Sequence, residues 1–479
     1  MLTQKLLEIS QNLGVVSYEI TLTLGAIAVL ILGLITKRLV LSKIAFVLTL
    51  VIALAFLGGE AEGSFLAFGG TLFFDIGVVW LKILFAIVGV WIVFFPSNIA
   101  HRSEYYFLIL ALILGSTLML TANNLLIIYL AVELTSFSAY ILTSLKFEKK
   151  SFEASIKYLI FGGVTSALAL YGASLVYGFT GTLYLHEMDF TILANQELLN
   201  LGLILFCGSL FFKVSAVPFH IWTPAVYQES PTDAVMVMSI VPKLGGFYLL
   251  HRVLTSAQFL DQSWLYTSVT VLGIATVIIG TFGALRQSNL KRMVAYGAIA
   301  HSGFLMATLI VPFESGASAF IWYAFGYAII NIAAFYYVAI LEDLGNTELS
   351  GLAGLGQQLP YFGALGVIIA LALIGLPPTV GFSVKFYLFV ALWEWYQNVN
   401  DPFVLAYLFT AVLSVVFSLF FYFRIPYQMF FKSGESTIST SVNISHQILA
   451  TIFTAVLFWL FFSPEIFNNI AESFTQIDW

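Results

Sequence analysis

Residues 211–232 read FFKVSAVPFHIWTPAVYQESPT, and they interrupt an apolar run that extends from Leu198 to about Tyr227. As one helix, a run of that length at about 1.5 Å per residue would reach roughly 45 Å, well beyond a bilayer core of ~30 Å. Pro218 removes a backbone donor and disfavours helix at Val217. The run therefore predicts two half-helices around a broken middle, with Lys213 near the midpoint. A lysine at membrane depth beside broken backbone marks an ion pathway by default.

The remainder of the chain is equally apolar. Of 479 residues, 60% are hydrophobic and 9% charged, and mean hydropathy is +0.97. This is the composition of an all-α polytopic membrane protein. The net charge of −6 comes without the basic patch that nucleic-acid binding needs. Cys207 is the only cysteine and the six histidines lack ligand spacing, so neither a disulfide framework nor a metal site is expected. Phosphate-loop, dinucleotide and haem motifs are absent, so no catalytic residues and no cofactor site are predicted in this chain. Lys5, Glu8 and Glu19 precede a full-length apolar run, which reads as a first span rather than a cleaved signal.

Apolar runs predict about fourteen spans, near 18–36, 39–57, 72–95, 104–121, 122–145, 152–180, 198–227, 234–253, 264–284, 290–311, 317–341, 361–396, 403–425 and 445–463. Glu342–Leu359 reads as a loop, and Lys432–Ser445 as a Ser/Thr-rich, mobile segment. The basic residues test this layout. Lys37, Arg38, Lys43, Arg102, Lys146, Lys149, Lys150, Arg286, Lys291, Arg292, Arg424 and Lys432 fall on one side, and only Lys5 and Arg252 on the other. That bias places the basic loops in the cytoplasm or matrix and both termini on the periplasmic or intermembrane side.

Five lysines remain, all inside spans: Lys82, Lys157, Lys213, Lys243 and Lys385. A lysine near a span centre costs roughly 2.5–3.5 kcal/mol on insertion scales. Lys157 lies close enough to an end to snorkel. Lys82 has Asp75 two turns earlier on the same face, and structural pairing is as good a reading as function. Lys213, Lys243 and Lys385 are the candidates for ion movement. Glu133, in LAVELTSF, is the acid near a span centre, and a Glu133–Lys213 pair is expected, as a proton-transfer pair or as a bundle salt bridge. His220, just past Pro218, and His301, in AYGAIAHSGF, are each a proton relay or a satisfied core histidine.

A second interrupted span, IGLPPTVGFSVKFYLF (Ile374–Phe389), carries two prolines before Lys385. Two broken spans in separate halves suggest an internal repeat, inverted because each unit has five spans. Lys213 and Lys385 lie 172 residues apart. The alternative is two unrelated kinks.

FKVSAVPFHIWTPAVYQESPT with SIVPKLGGF, SFEASIKYLIFGG, YGFTGTL, AVEL and LPPTVGFSVKFYLF resemble subunit N of respiratory complex I, the antiporter-like membrane subunit called subunit 2 in mitochondria. The resemblance covers about residues 104–392. It implies fourteen spans in a single membrane domain, 1–479, with inverted five-helix repeats at 104–253 (broken near 213–220) and 264–425 (broken near 375–385). It also implies a proton pathway through Glu133, Lys213, Lys243 and Lys385, with Lys157 and His220 at matching positions. Ala225, Glu229 and Asp233 depart from the family's usual Asp, Gly and Pro, and Lys82 has no place in its pattern. Function is then expected to be proton translocation within an NADH:quinone oxidoreductase. FMN, iron–sulfur clusters and quinone would sit in partner subunits, and lipids and other membrane subunits, including antiporter-like ones, would surround the chain. The alternatives are a subunit of a multi-subunit sodium/proton antiporter, and a membrane scaffold that only docks its neighbours.

Overall fold

The computed structural model describes residues 12–36, 38–57, 63–96, 103–188, 196–257, 260, 263–433 and 442–474. Lys5, Glu8, Lys37, Arg102 and most of the Ser/Thr-rich segment (434–441) lie outside the described residues.

Apolar sequence forms helix here because a bilayer leaves no other way to satisfy backbone donors and acceptors. In order, the helices are α1 (Ser17–Thr36), α2 (Leu39–Ala55), α3 (Ile76–Trp91), α4 (Ser103–Thr121), α5 (Leu125–Ser144), α6 (Lys149–Thr180), α7 (Gln196–Lys213), α8 (Thr223–Glu229) and α9 (Thr232–Ser256). There follow α10 (Ser263–Leu285), α11 (Leu290–Ala307), α12 (Phe313–Asp343), α13 (Pro360–Ile374), α14 (Val380–Val399), α15 (Pro402–Tyr422), α16 (Arg424–Phe431), α17 (Ile444–Phe462) and α18 (Glu465–Phe474). Among the described residues, ten helices are long and apolar enough to cross a membrane. The chain is an integral membrane protein. Spans α9 and α12 are the most buried and α1 the most exposed, so the core lies around α9 and α12.

Two features were not expected from sequence. The run predicted to begin a span at 72 instead starts with a hairpin, β1 (Phe65–Ala67) paired with β2 (Leu72–Phe74) in the register Phe65↔Phe74. Beyond the last expected span, α18 packs against α12 and α3.

Both interrupted runs are broken. Helix α7 stops at Lys213, and turns carry the chain to α8. The freed backbone finds partners: the Val217 amide donates to Thr276 Oγ1 at 3.0 Å, and Trp222 Nε1 donates to the Phe212 carbonyl at 3.2 Å. Helix α13 ends on Gly375 at φ +89°, a left-handed cap that suits glycine.

The same local contacts occur twice along the chain. The Leu125 amide donates to Leu183 O at 2.9 Å, and the Leu290 amide to Thr347 O at 2.8 Å. Leu185 donates to Asn123 O, and Leu349 to Ser288 O. Asn124 caps α5 as Asn289 caps α11. Close approach recurs as well: a Cβ on Gly115 would stand 2.8 Å from Thr135 N, and one on Gly280 2.3 Å from Ala300 N, the small-residue contact that lets membrane helices touch. Arg252 Nη1 holds the carbonyls of Leu120 and Ala122, and Arg424 Nη1 those of Leu285 and Gln287.

Candidate functional site

Lys213 is the last residue of α7, where the break begins. It is buried, and Nζ donates to Ser136 Oγ of α5 at 3.0 Å. Ser136 in turn donates to the Val132 carbonyl at 2.7 Å, which fixes its lone pairs toward the ammonium. Glu133, one turn from Ser136, is half-buried and accepts a hydrogen bond from Ser166 of α6. The expected direct Glu133–Lys213 ion pair is therefore corrected. The two groups reach α5 at adjacent positions, but hydroxyls take both contacts, because Lys213 is drawn to the serine that lies one turn further along.

The Lys213 stem leads toward α9: a Cβ on Gly246 would lie 3.6 Å from Lys213 Cγ, and Lys243 is three residues earlier. Lys243 follows Pro242, is buried, and donates to the Ala298 carbonyl of α11 at 2.9 Å. Its Nζ also stands 5.9 Å from the centre of the Tyr327 ring. That ring lies 5.3 Å from His301, whose Nδ1 shares a 2.6 Å hydrogen bond with Tyr323 Oη. His301 packs 6.0 Å from Phe304, and the opposite side of the arrangement is Lys385, with Nζ 5.2 Å from the Phe304 ring. Lys385 donates to Ile374 O at 2.6 Å and Leu373 O at 3.2 Å. These are end-of-helix carbonyls with no partner in α13, where a cation is favoured.

The structure thus joins Lys243, His301 and Lys385 through the rings of Tyr327 and Phe304, with Lys213 packed beside Gly246 of the same helix as Lys243 and the half-buried Glu133 one turn from the serine that Lys213 reaches. His220 sits in the first break, partly buried, and its Nδ1 has no protein partner. Lys157 is not part of this arrangement. Its neighbour Tyr158 turns inward and stacks on Trp222 at 4.2 Å, so Lys157 faces outward and pairs with Glu153, one turn away, at 2.6 Å. The expected Asp75–Lys82 pair is also corrected. Asp75 caps α3 through the Val78 amide at 2.7 Å and accepts from Tyr248, whereas Lys82 is fully buried against Glu19 of α1 at 2.7 Å. Sequence reading missed Ser136, Ser166, Tyr323 and Tyr327. The one signal for the tyrosines was their four-residue spacing, which puts both on one face of α12.

Among the described residues, Lys213, Lys243 and Lys385 have no carboxylate within salt-bridge distance. Their ammonium groups rest on hydroxyl, carbonyl and aromatic acceptors. A buried charge without a counter-ion is costly. Broken helices, buried lysines and neutral acceptors together define an antiporter-like membrane fold. The chain belongs to the NADH:quinone oxidoreductase/Mrp antiporter transmembrane family, which its residues 122–414 match. It is 34% identical over 424 residues to NADH-quinone oxidoreductase subunit N 2 of Chloroherpeton thalassium, covering 83% of this chain and 81% of that one. Among solved structures, it is similar to a chain of respiratory complex I from Thermus thermophilus with bound aureothin, with TM-score 0.79, 27% identity, and coverage of 96% and 100%. A chain of the Mrp complex from Dietzia sp. DQ12-45-1b has TM-score 0.82 at 18% identity, with 96% of each chain covered, and shares the fold alone.

Proposed function

We propose that this chain is a proton-translocating membrane subunit of an NADH-quinone oxidoreductase, and that protons move along Glu133, Lys213, Lys243, His301 and Lys385. His220, in the first break, joins the pathway as a relay. The observation that supports the reading is the set of three buried lysines, each on neutral acceptors, two of which, Lys243 and Lys385, are joined by His301 and the rings of Tyr327 and Phe304. Quinone reduction, with FMN, iron–sulfur clusters and quinone, belongs to partner subunits, and other membrane subunits, antiporter-like ones among them, lie alongside this one.

The architecture we infer has fourteen spans: the ten long apolar helices, with α2, α11 and the broken pairs α7–α8 and α13–α14. The matched contacts of Asn124 with Asn289, and of Arg252 with Arg424, support two repeats at 104–253 and 264–425. Five spans per repeat make them inverted, and the basic loops put both termini on the outer side.

Replacing Lys213 or Lys385 with Met in the assembled complex is expected to abolish the proton movement this chain supports, measured as ΔpH per NADH oxidised in membrane vesicles. Wild-type ratios in both variants would leave only a scaffold. Redox-independent, sodium-dependent pH changes would instead indicate an antiporter subunit.

A further inference from the structure

A second cluster of ionisable groups lies apart from the proposed pathway, at the face that carries the basic loops. Glu342, near the end of α12, accepts from Lys146 at 2.7 Å and lies 3.6 Å from Lys291 of α11. Its other oxygen accepts from Thr232, at the start of α9. The Glu342 side chain is 29% exposed, whereas that of Lys291 is 1% exposed. The cluster therefore runs from solvent into the interior. Asp233 and Arg292 are the further charged groups beside it, and Arg292 donates to Gln228 at 3.3 Å.

Two observations connect this cluster to the proposed pathway. First, Lys291 Nζ donates to the Ser230 carbonyl at 2.6 Å, directly after α8. One turn inward on α8, the Tyr227 hydroxyl is fully buried with no protein partner, and so is that of Thr223. Buried polar groups are nearly always satisfied, by ordered water where protein does not serve. Second, Glu342, Phe335, Asn331 and Tyr327 follow one another on one face of α12 at helical spacing. Tyr227 packs on Phe335 at 6.1 Å, Asn331 donates to the Tyr327 carbonyl at 2.8 Å, and the Tyr327 ring flanks both Lys243 and His301. From Glu342 to Tyr327 is about 22 Å of helix.

We propose that Glu342 is the proton-uptake group of this chain, and that α12 guides protons from it, past Tyr227, to Lys243 and His301. The inference rests on the proton-translocating reading above. A hydronium ion gives its proton to a Glu342 carboxylate oxygen and leaves as water. Onward transfer restores the carboxylate, and Lys146 and Lys291 hold it in place between arrivals.

The test uses the whole complex in membrane vesicles, with ΔpH measured per NADH oxidised and assembly followed on native gels. Glu342→Gln keeps the shape and one of the two acceptor oxygens that Lys146 and Thr232 use, but cannot carry a proton. It is expected to lose as much transport as Lys213→Met, with assembly intact, and Glu342→Asp is expected to restore part of it. Tyr227→Phe deletes only the orphan hydroxyl and is expected to slow transport. If Glu342→Gln is impaired but Tyr227→Phe is normal, the cluster is only a clasp between helices and the proposal falls. It also falls if both are normal while Lys213→Met blocks transport. A normal Lys213→Met would instead remove the underlying functional reading.

Discussion

Gly375→Ala tests whether Lys385 works from the position in which the structure holds it. Gly375 sits at φ +89°, where an L side chain costs roughly 1–2 kcal/mol. A Cβ there would also stand 2.7 Å from Lys385 Cδ, well inside ordinary contact. The lysine stem is flexible and yields, but only by withdrawing Nζ from the carbonyls of Ile374 and Leu373. A hydrogen bond from a charged donor is worth about 1.5–3 kcal/mol. The placement of this charge should therefore weaken by about 3 kcal/mol, and about 1.4 kcal/mol is already tenfold in an equilibrium. Transport per NADH oxidised should fall toward that of Lys385→Met although no ionisable group has been removed. Gly375→Asn separates the two contributions, because Asn tolerates the left-handed region but still carries a Cβ. It should remain impaired. Recovery in Gly375→Asn would mean that backbone strain, not displacement of Lys385, caused the loss. Normal transport in Gly375→Ala would refute the reasoning entirely.

Three further outcomes are expected. Lys82→Met leaves Glu19 buried without its cation and should cost about 3–5 kcal/mol, the range for breaking a buried pair; the assembled fraction drops in a thermal-shift assay, and transport by the surviving complex is unchanged. Lys157→Ala removes an outward-facing pair and should alter neither assembly nor ΔpH per NADH; a transport defect would return Lys157 to the pathway. Ser136→Ala removes the hydroxyl that holds Lys213 and should weaken its charged form by about 1.5–3 kcal/mol, slowing transport in the wild-type background. In a Lys213→Met background the same change should add nothing, the non-additivity expected of contacting residues.

Much of this is legible in the sequence, for identifiable reasons. Helices in a bilayer must satisfy their own backbone, so apolar runs mark spans, and a proline inside an overlong run marks a break. An intramembrane lysine is costly enough to stand out, which is how Lys213, Lys243 and Lys385 were found. What sequence did not reveal was where those side chains point. Glu19 lies 63 residues before Lys82 and nothing local links them, whereas Asp75, two turns away, looked like the natural partner and proved to be a helix cap. Ser136 was invisible because a serine in an apolar helix signals nothing until a lysine is seen beside it. Lys157 faces outward, as its place near a span end allowed, because one residue of helix turns a side chain by 100° and its neighbour Tyr158 takes the inward direction.

The two halves are not equivalent in charge, and this bears on how a proton would move. The register that places Asn289 on Asn124 also places Ala298 on Glu133 and His301 on Ser136. On the proposed repeat, the second unit thus lacks the carboxylate of the first. At the position of that carboxylate it offers a main-chain carbonyl, and Lys243 occupies it. A positive charge is therefore favoured at the Glu133 end, while at Lys243 and Lys385 only dipoles and aromatic rings meet it. On the proposed pathway, movement would run from an anion-supported site to dipole-supported ones and would have to be driven. On that reading, Glu133 is a place where a carboxylate could shift the balance at Lys213. The Ser166 hydroxyl reaches Glu133 from α6, so on that reading a shift of α6 would be felt at the carboxylate.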